Sequence, residues 1–152
     1  KMSNYDLSKI LPHNPPMILI DDILNFDLTQ KTLTAIVKIT EDKLFFDKSK
    51  NGISSLVGIE FMAQTIGCYA YFRNNCKPPK LGFLLGSRLF NNALDVFKNG
   101  ENYKIKVNEI FTDNQIVVFD CIMYDMHGEE IASATINVYQ TDNVQEFLKK
   151  NE

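Results

Sequence analysis

Glu60 and Gln64 stand one helical turn apart in GISSLVGIEFMAQTIGCYAYF, residues 52–72, a segment that is otherwise apolar almost all round. A helix this apolar packs inside a protein, where a lone carboxylate is expensive unless it is paired, protonated or engaged in chemistry. Glu60 is therefore the first candidate catalytic residue. A competing reading makes it a salt-bridged or interface-facing glutamate at a helix start, where the helix dipole favours negative charge. Two histidines could join it, His13 and His127. His127 lies in the hairpin-tip sequence MHGE and reads as an exposed turn residue. His13 lies in LPHNPP, whose prolines force a rigid, extended connection.

The elements that must position these residues are legible from periodicity. A short helical turn over residues 4–10 precedes LPHNPP. MILIDDILNFD is a strand candidate, followed by the turn LTQK and the alternating strand TLTAIVKIT. Residues 41–51 read as polar loop broken by Leu44, Phe45 and Phe46, and the helix then runs from 52 to about Arg73, ended by NNCKPPK. GFLLGSRLF, a loop, ENYKIKVNEIF, NQIVVFDCIMYD and EEIASATINVYQ follow as strands, the last three an antiparallel meander. NVQEFLKKN at the C-terminus returns to weak helical patterning. Ala63, Gly67 and Ala70 would give the long helix a flat side for close approach to the sheet. One long helix against a curved antiparallel sheet of about five or six strands is an α+β fold, with the wrapped arrangement called the hotdog.

Composition narrows the function classes. The chain has 152 residues, 45% hydrophobic and 23% charged, which suits one domain, 1–152, with a substantial core. Net charge is −3, and Lys and Arg are scattered, which argues against nucleic acid as a partner. The N-terminal KMSNYDLSK has no apolar signal region, and the helix around Glu60 is interrupted for a membrane span, so a cytoplasmic protein is expected. Cys68, Cys76 and Cys121 form no CxxC pair and read as free thiols. No phosphate-binding glycine loop or metal-ligand cluster appears, so neither cofactor nor metal is expected.

LPHNPPMILIDDIL resembles the opening motif of bacterial 3-hydroxyacyl-[acyl-carrier-protein] dehydratases. GIEFMAQTIG is similar to that family's central-helix motif, FKNGENYKIKV to its Pro-Gly-Asp strand entry, and FDCIMYDMHGEEIASATINV to its last hairpin. GIEFMAQTIG, GFLLGSRLF and INVYQ look closest to a divergent branch found in aryl-polyene pigment clusters. The resemblance implies a hotdog dimer that removes water from a 3-hydroxyacyl thioester carried by acyl carrier protein or coenzyme A. Such a reaction needs a base for the carbon-bound proton, an acid for the departing hydroxyl and donors for the enolate-like oxygen. The family draws a histidine and a carboxylate from different subunits. Matched to it, Glu60 is the carboxylate, Gln64 orients it, and amides near Val57 and Gly58, at the helix start, would hold the oxygen.

The chain departs from this pattern at one place. The family's histidine belongs to a Gly-His-Phe-Pro motif about fourteen residues ahead of the carboxylate, and the corresponding stretch here, FFDKSKNGISS, has none. His13 is the candidate replacement base, because its segment would lie along the acyl tunnel, with Asp47 a second candidate acid; alternatively His13 only braces the Pro-rich turn. Phe46, with Phe45, Leu56 and Met17, would line core or tunnel. Three functions are compatible with these residues: the dehydratase, a thioesterase in which one carboxylate activates water, and a non-catalytic hotdog subunit that completes a histidine-bearing partner.

Overall fold

The structure, a computed structural model, describes residues 5–77, 82–113 and 115–140. A first helical turn, α1 (Leu7–Ile10), is capped by Asp6, whose side chain accepts from the Ser8 amide. The strands β1 (Asp22–Asp27) and β2 (Thr32–Lys38) form a hairpin, and two very short strands, β3 (Phe46–Asp47) and β4 (Gly52–Ser54), lead to a 3-10 turn over Ser55–Val57. The long helix α2 spans Gly58–Arg73. After it come β5 (Gly82–Asn92), β6 (Val96–Lys98), β7 (Asn102–Asp113), β8 (Ile116–Tyr124) and β9 (Glu130–Gln140).

Six strands form one antiparallel sheet in the order β1-β2-β7-β8-β9-β5, and β3-β4-β6 form a small second sheet. Side chains alternate across a strand, so one face of the large sheet collects Leu33, Ala35 and Val37 of β2, Tyr103, Ile105 and Val107 of β7, and Phe119, Cys121 and Met123 of β8. That face packs on Phe61, Met62, Cys68 and Tyr69 of α2. The expected α+β hotdog architecture is present, with the sheet of six strands.

Four local expectations are corrected. The helix starts at Gly58, not 52, because Ile53 is taken by a strand: it pairs with Phe97 of β6, and both are fully buried. A short apolar run has no period that separates strand from helix. Phe46–Asp47 and Val96–Lys98, read as loop, are the outer strands of that small sheet. Of MILIDDILNFD, only Asp22–Asp27 forms a strand, the residues before it being strapped across the helix. Gly67 meets the N-terminal segment and not the sheet, since a Cβ there would lie 2.9 Å from Leu11 Cδ2. The C-terminal helical pattern lies outside the described residues.

Candidate active site

Gln64 is the hub of the site. Its side chain is buried on α2 and spends both its oxygen and its nitrogen on groups of the strap and the helix. The Oε1 atom accepts from the Leu19 amide at 2.9 Å, and Nε2 donates to the Met17 carbonyl at 2.8 Å and to Glu60 Oε2 at 3.0 Å. One side chain thus fixes the Pro-rich strap to the helix and orients the carboxylate one turn before it. A second clamp acts further along the strap. Lys43 Nζ donates to the Leu19 carbonyl at 2.6 Å and pairs with Asp21 at 2.5 Å, while Asp21 also accepts from the Lys38 amide at 2.6 Å.

The clamped strap delivers His13 to Glu60. Its Nε2 lies 3.4 Å from Glu60 Oε2, with the two side chains 30% and 40% exposed. Glu60 is therefore less buried in the single subunit than an all-apolar helix implied. The other ring nitrogen, Nδ1, is buried and has no hydrogen-bond partner among the described residues. A histidine next to a carboxylate is an arrangement that can move a proton.

The other sequence candidates fall elsewhere. Asp47 ends β3 at the turn into β4, where one oxygen accepts from the Ser49 hydroxyl at 2.6 Å and amide at 2.9 Å. Those bonds hold its carboxyl below the usual carboxylate range, which disfavours it as a proton donor. Phe46 and Val57 pack against the core. The Gly58 amide is already bonded to the Ser55 carbonyl, so it is not a free donor for a substrate oxygen. The glycine is needed for another reason: a Cβ there would press on the Phe97 and Phe90 rings at 3.3 and 3.4 Å. His127 is exposed at the turn between β8 and β9.

Lys43 and Asp21, which hold the strap, were not anticipated. Their only sequence signal was the paired Asp21–Asp22 ending an apolar run. Among the described residues, no group of three His, Cys, Asp or Glu side chains could hold a metal ion, and no helix is long and apolar enough to cross a membrane.

A helix wrapped by a six-stranded sheet, with a carboxylate and a glutamine one turn apart beside a strapped N-terminal histidine, defines a hotdog protein with a polar cluster at its helix start. The chain belongs to the ApeP-like family, described as ApeP dehydratase, whose pattern matches residues 5–149. It is also similar to the 3-hydroxyacyl-[acyl-carrier-protein] dehydratase FabZ of Chlamydia trachomatis serovar L2, 29% identical over 53% of this chain and 56% of that protein. A second such FabZ, from Janthinobacterium, is 31% identical over 51% of this chain and 53% of its own length. The chain thus spans about half the length of the curated relatives it matches.

Among solved structures, the dehydratase heterocomplex ApeI:P from Xenorhabdus doucetiae superposes with a TM-score of 0.81 at 22% identity, covering 96% of this chain and 97% of that one. A hypothetical thioesterase from Streptococcus pneumoniae, solved with coenzyme A, gives 0.61 at 15% identity, over 79% and 84%. These two likenesses carry the fold.

Proposed function

We propose that the protein dehydrates a 3-hydroxyacyl thioester, linked to acyl carrier protein or coenzyme A, to the 2-enoyl thioester, with His13 and Glu60 of one chain as its acid–base pair. The single observation that carries this reading is the 3.4 Å approach of His13 Nε2 to Glu60 Oε2 in a member of a dehydratase family.

The reactive form of the pair carries two protons, one on His13 Nδ1 and one shared between Nε2 and Glu60. Nε2 takes a proton from the carbon next to the thioester carbonyl. The electron pair of that C–H bond forms the double bond, the C–O bond to the 3-hydroxyl breaks, and Glu60 gives its proton to the oxygen, which leaves as water. The proton gained by Nε2 then passes to the Glu60 carboxylate beside it and restores the pair. Gln64 holds Oε2 in place throughout. A buried Nδ1–H with no acceptor is unfavourable by roughly 1–3 kcal/mol, so an acceptor from outside the described residues, such as a second subunit, would favour the reactive form. A hotdog subunit also leaves the β5 edge of its large sheet open, and we place a second copy, or a hotdog heteropartner, on that edge.

The alternative is a thioesterase, with Glu60 activating water, favoured by the 40% exposure of Glu60. Incubation with a 3-hydroxyacyl thioester separates the two. Dehydration gives an enoyl thioester absorbing in the near ultraviolet, and hydrolysis releases a free thiol. Thiol release without enoyl product would overturn the dehydratase reading.

A further inference from the structure

Tyr69 stands about 13 Å beyond Glu60 along the axis of α2, at 1.5 Å per residue. There the helix, through Tyr69 and Arg73, walls an open cleft of about 580 Å³ over Val117 and Phe119 of β8. A bulge in β7 shapes it. Glu109 is the register partner of Phe119 and Thr112 that of Val117, with Ile110 the extra residue between them. Cross-strand partners share a face of the sheet, so the bulge brings two polar side chains three residues apart onto the inner face. They satisfy one another there: Glu109, only 8% exposed, accepts from the Thr112 hydroxyl at 2.6 Å and from the Tyr69 hydroxyl at 2.9 Å. Burial, and then the carboxylate, push the Tyr69 hydroxyl well above its ordinary range, so it stays a donor.

Two cations on the wall are not closed off in this way. Arg73, 51% exposed, approaches Glu109 Oε1 through Nε only at 3.9 Å. Lys31 is anchored by its backbone, its carbonyl accepting from the Glu109 amide at 2.9 Å, and its ammonium has no ion pair among the described residues. The lining thus carries two basic side chains against the single acid Glu109, an excess of one positive charge on a chain whose net charge is −3. Beside the cations the surface is apolar. Ile110 at the bulge and Phe111 are half exposed, and the stems of Lys31 and Arg73 extend them.

We propose that this cleft binds a monoanionic amphiphile, a carboxylic acid with an apolar tail, its carboxylate between Arg73 and Lys31 and its tail on Ile110 and Phe111. A guanidinium fork matches a carboxylate with two parallel hydrogen bonds. One negative charge balances the excess, whereas a phosphate monoester, close to two charges at neutral pH, would leave the cleft negative. The volume lies within the range of about 300–1,000 Å³ usual for small-molecule sites. Because the cleft stands apart from His13 and Glu60, it can fill while that pair is free.

Methyl NMR of the full chain, with decanoate as the probe, tests this. Methyls of Ile110 and Val117 should shift saturably, with a Kd below about 1 mM, while those of Leu33 and Val37 stay still. Decanol, which lacks the charge, and the variant Arg73→Gln should each weaken binding at least about tenfold. Equal affinity for decanol, or binding unchanged in Arg73→Gln, would overturn the proposal. Tighter binding of decyl phosphate would overturn the monoanion assignment, and shifts that spread to Leu33 and Val37 without saturating would reduce the effect to detergent action. Should Arg73→Gln unfold, Lys31→Gln, on the exposed turn between β1 and β2, gives the same reading.

Discussion

The imidazole of His13 faces the carboxylate of Glu60 within one chain, Nε2 to Oε2 at 3.4 Å. The two residues are far apart in sequence and meet because Gln64 binds the strap on both sides of the peptide groups at Met17 and Leu19. In the resembled family the histidine comes from a loop just ahead of the helix and acts across a dimer. Here that loop is occupied by β3 and β4, with Asp47 tied to Ser49, and it is the N-terminal strap that brings an imidazole to Glu60.

Gln64→Leu removes this hub while keeping the side chain's approximate size. The Leu19 amide and Met17 carbonyl lose their partners, and a stranded polar group costs about 1–3 kcal/mol. Urea unfolding should show a loss of at least about 2 kcal/mol, with turnover lowered as well because the strap no longer presents His13. A stability unchanged within about 0.5 kcal/mol, the spread of ordinary surface substitutions, would show that the strap is held without Gln64.

Gly52 and Gly67 should respond oppositely to alanine. A Cβ at Gly52 would fall 2.2 Å from the Phe97 carbonyl oxygen, a backbone atom fixed by the β4–β6 pairing. Gly52→Ala should destabilise by at least about 1–3 kcal/mol, the usual range for overpacking. At Gly67 the obstacle is a Leu11 methyl, which can turn aside, and alanine favours the helix by about 0.5–1 kcal/mol, so Gly67→Ala should be close to neutral. Thermal melts of the two variants check this, and equal losses would contradict it.

Stability should fall in alkali through the buried thiols. Burial pushes Cys68 and Cys121 from the ordinary 9.0 up to about 12. In the unfolded chain both ionise near the ordinary value, so from about pH 9 to 12 the folded state holds more protons and loses stability as pH rises. The contribution is complete below about pH 9 and declines by up to about 1.4 kcal/mol per pH unit for each thiol above it. Cys121→Ala should flatten this decline in unfolding curves. A thiol reagent at pH 8 should first modify the exposed Cys76 alone. Rapid reaction of all three thiols would mean that the core is open.

Strand alternation made β2, β7, β8 and β9 legible, because burial recurs at every second residue along most of each: Leu33, Ala35 and Val37, then Tyr103, Ile105 and Val107, then Val117, Phe119, Cys121 and Met123, then Ala132, Ala134 and Ile136. The helix start was not, since Ile53 and the residues after it are apolar in either structure, and only the long-range pairing with Phe97 decides the matter. The Glu60–Gln64 pair could be read from i, i+4 spacing and His13 from its place in a rigid turn. The roles of Lys43 and of the Gly58 amide could not, because each depends on where the backbone goes: Lys43 reaches the Leu19 carbonyl across the fold, and the Ser55–Val57 turn consumes the Gly58 amide.

The central claim is that a dehydrating acid–base pair is complete within one chain, and subunit mixing tests it most directly. His13→Ala and Glu60→Gln should each lower turnover of a 3-hydroxyacyl thioester at least about 100-fold, the low end for general acid–base catalysis. The two variants are then unfolded together, refolded and assayed as mixed oligomers for enoyl thioester formation. A pair drawn from one chain leaves every mixed site broken, so activity should stay at the level of the single variants. Recovery to about a quarter of the unaltered activity, as expected when random two-fold pairing restores one site in each mixed dimer, would show that His13 serves the neighbouring subunit's Glu60 and would contradict the account.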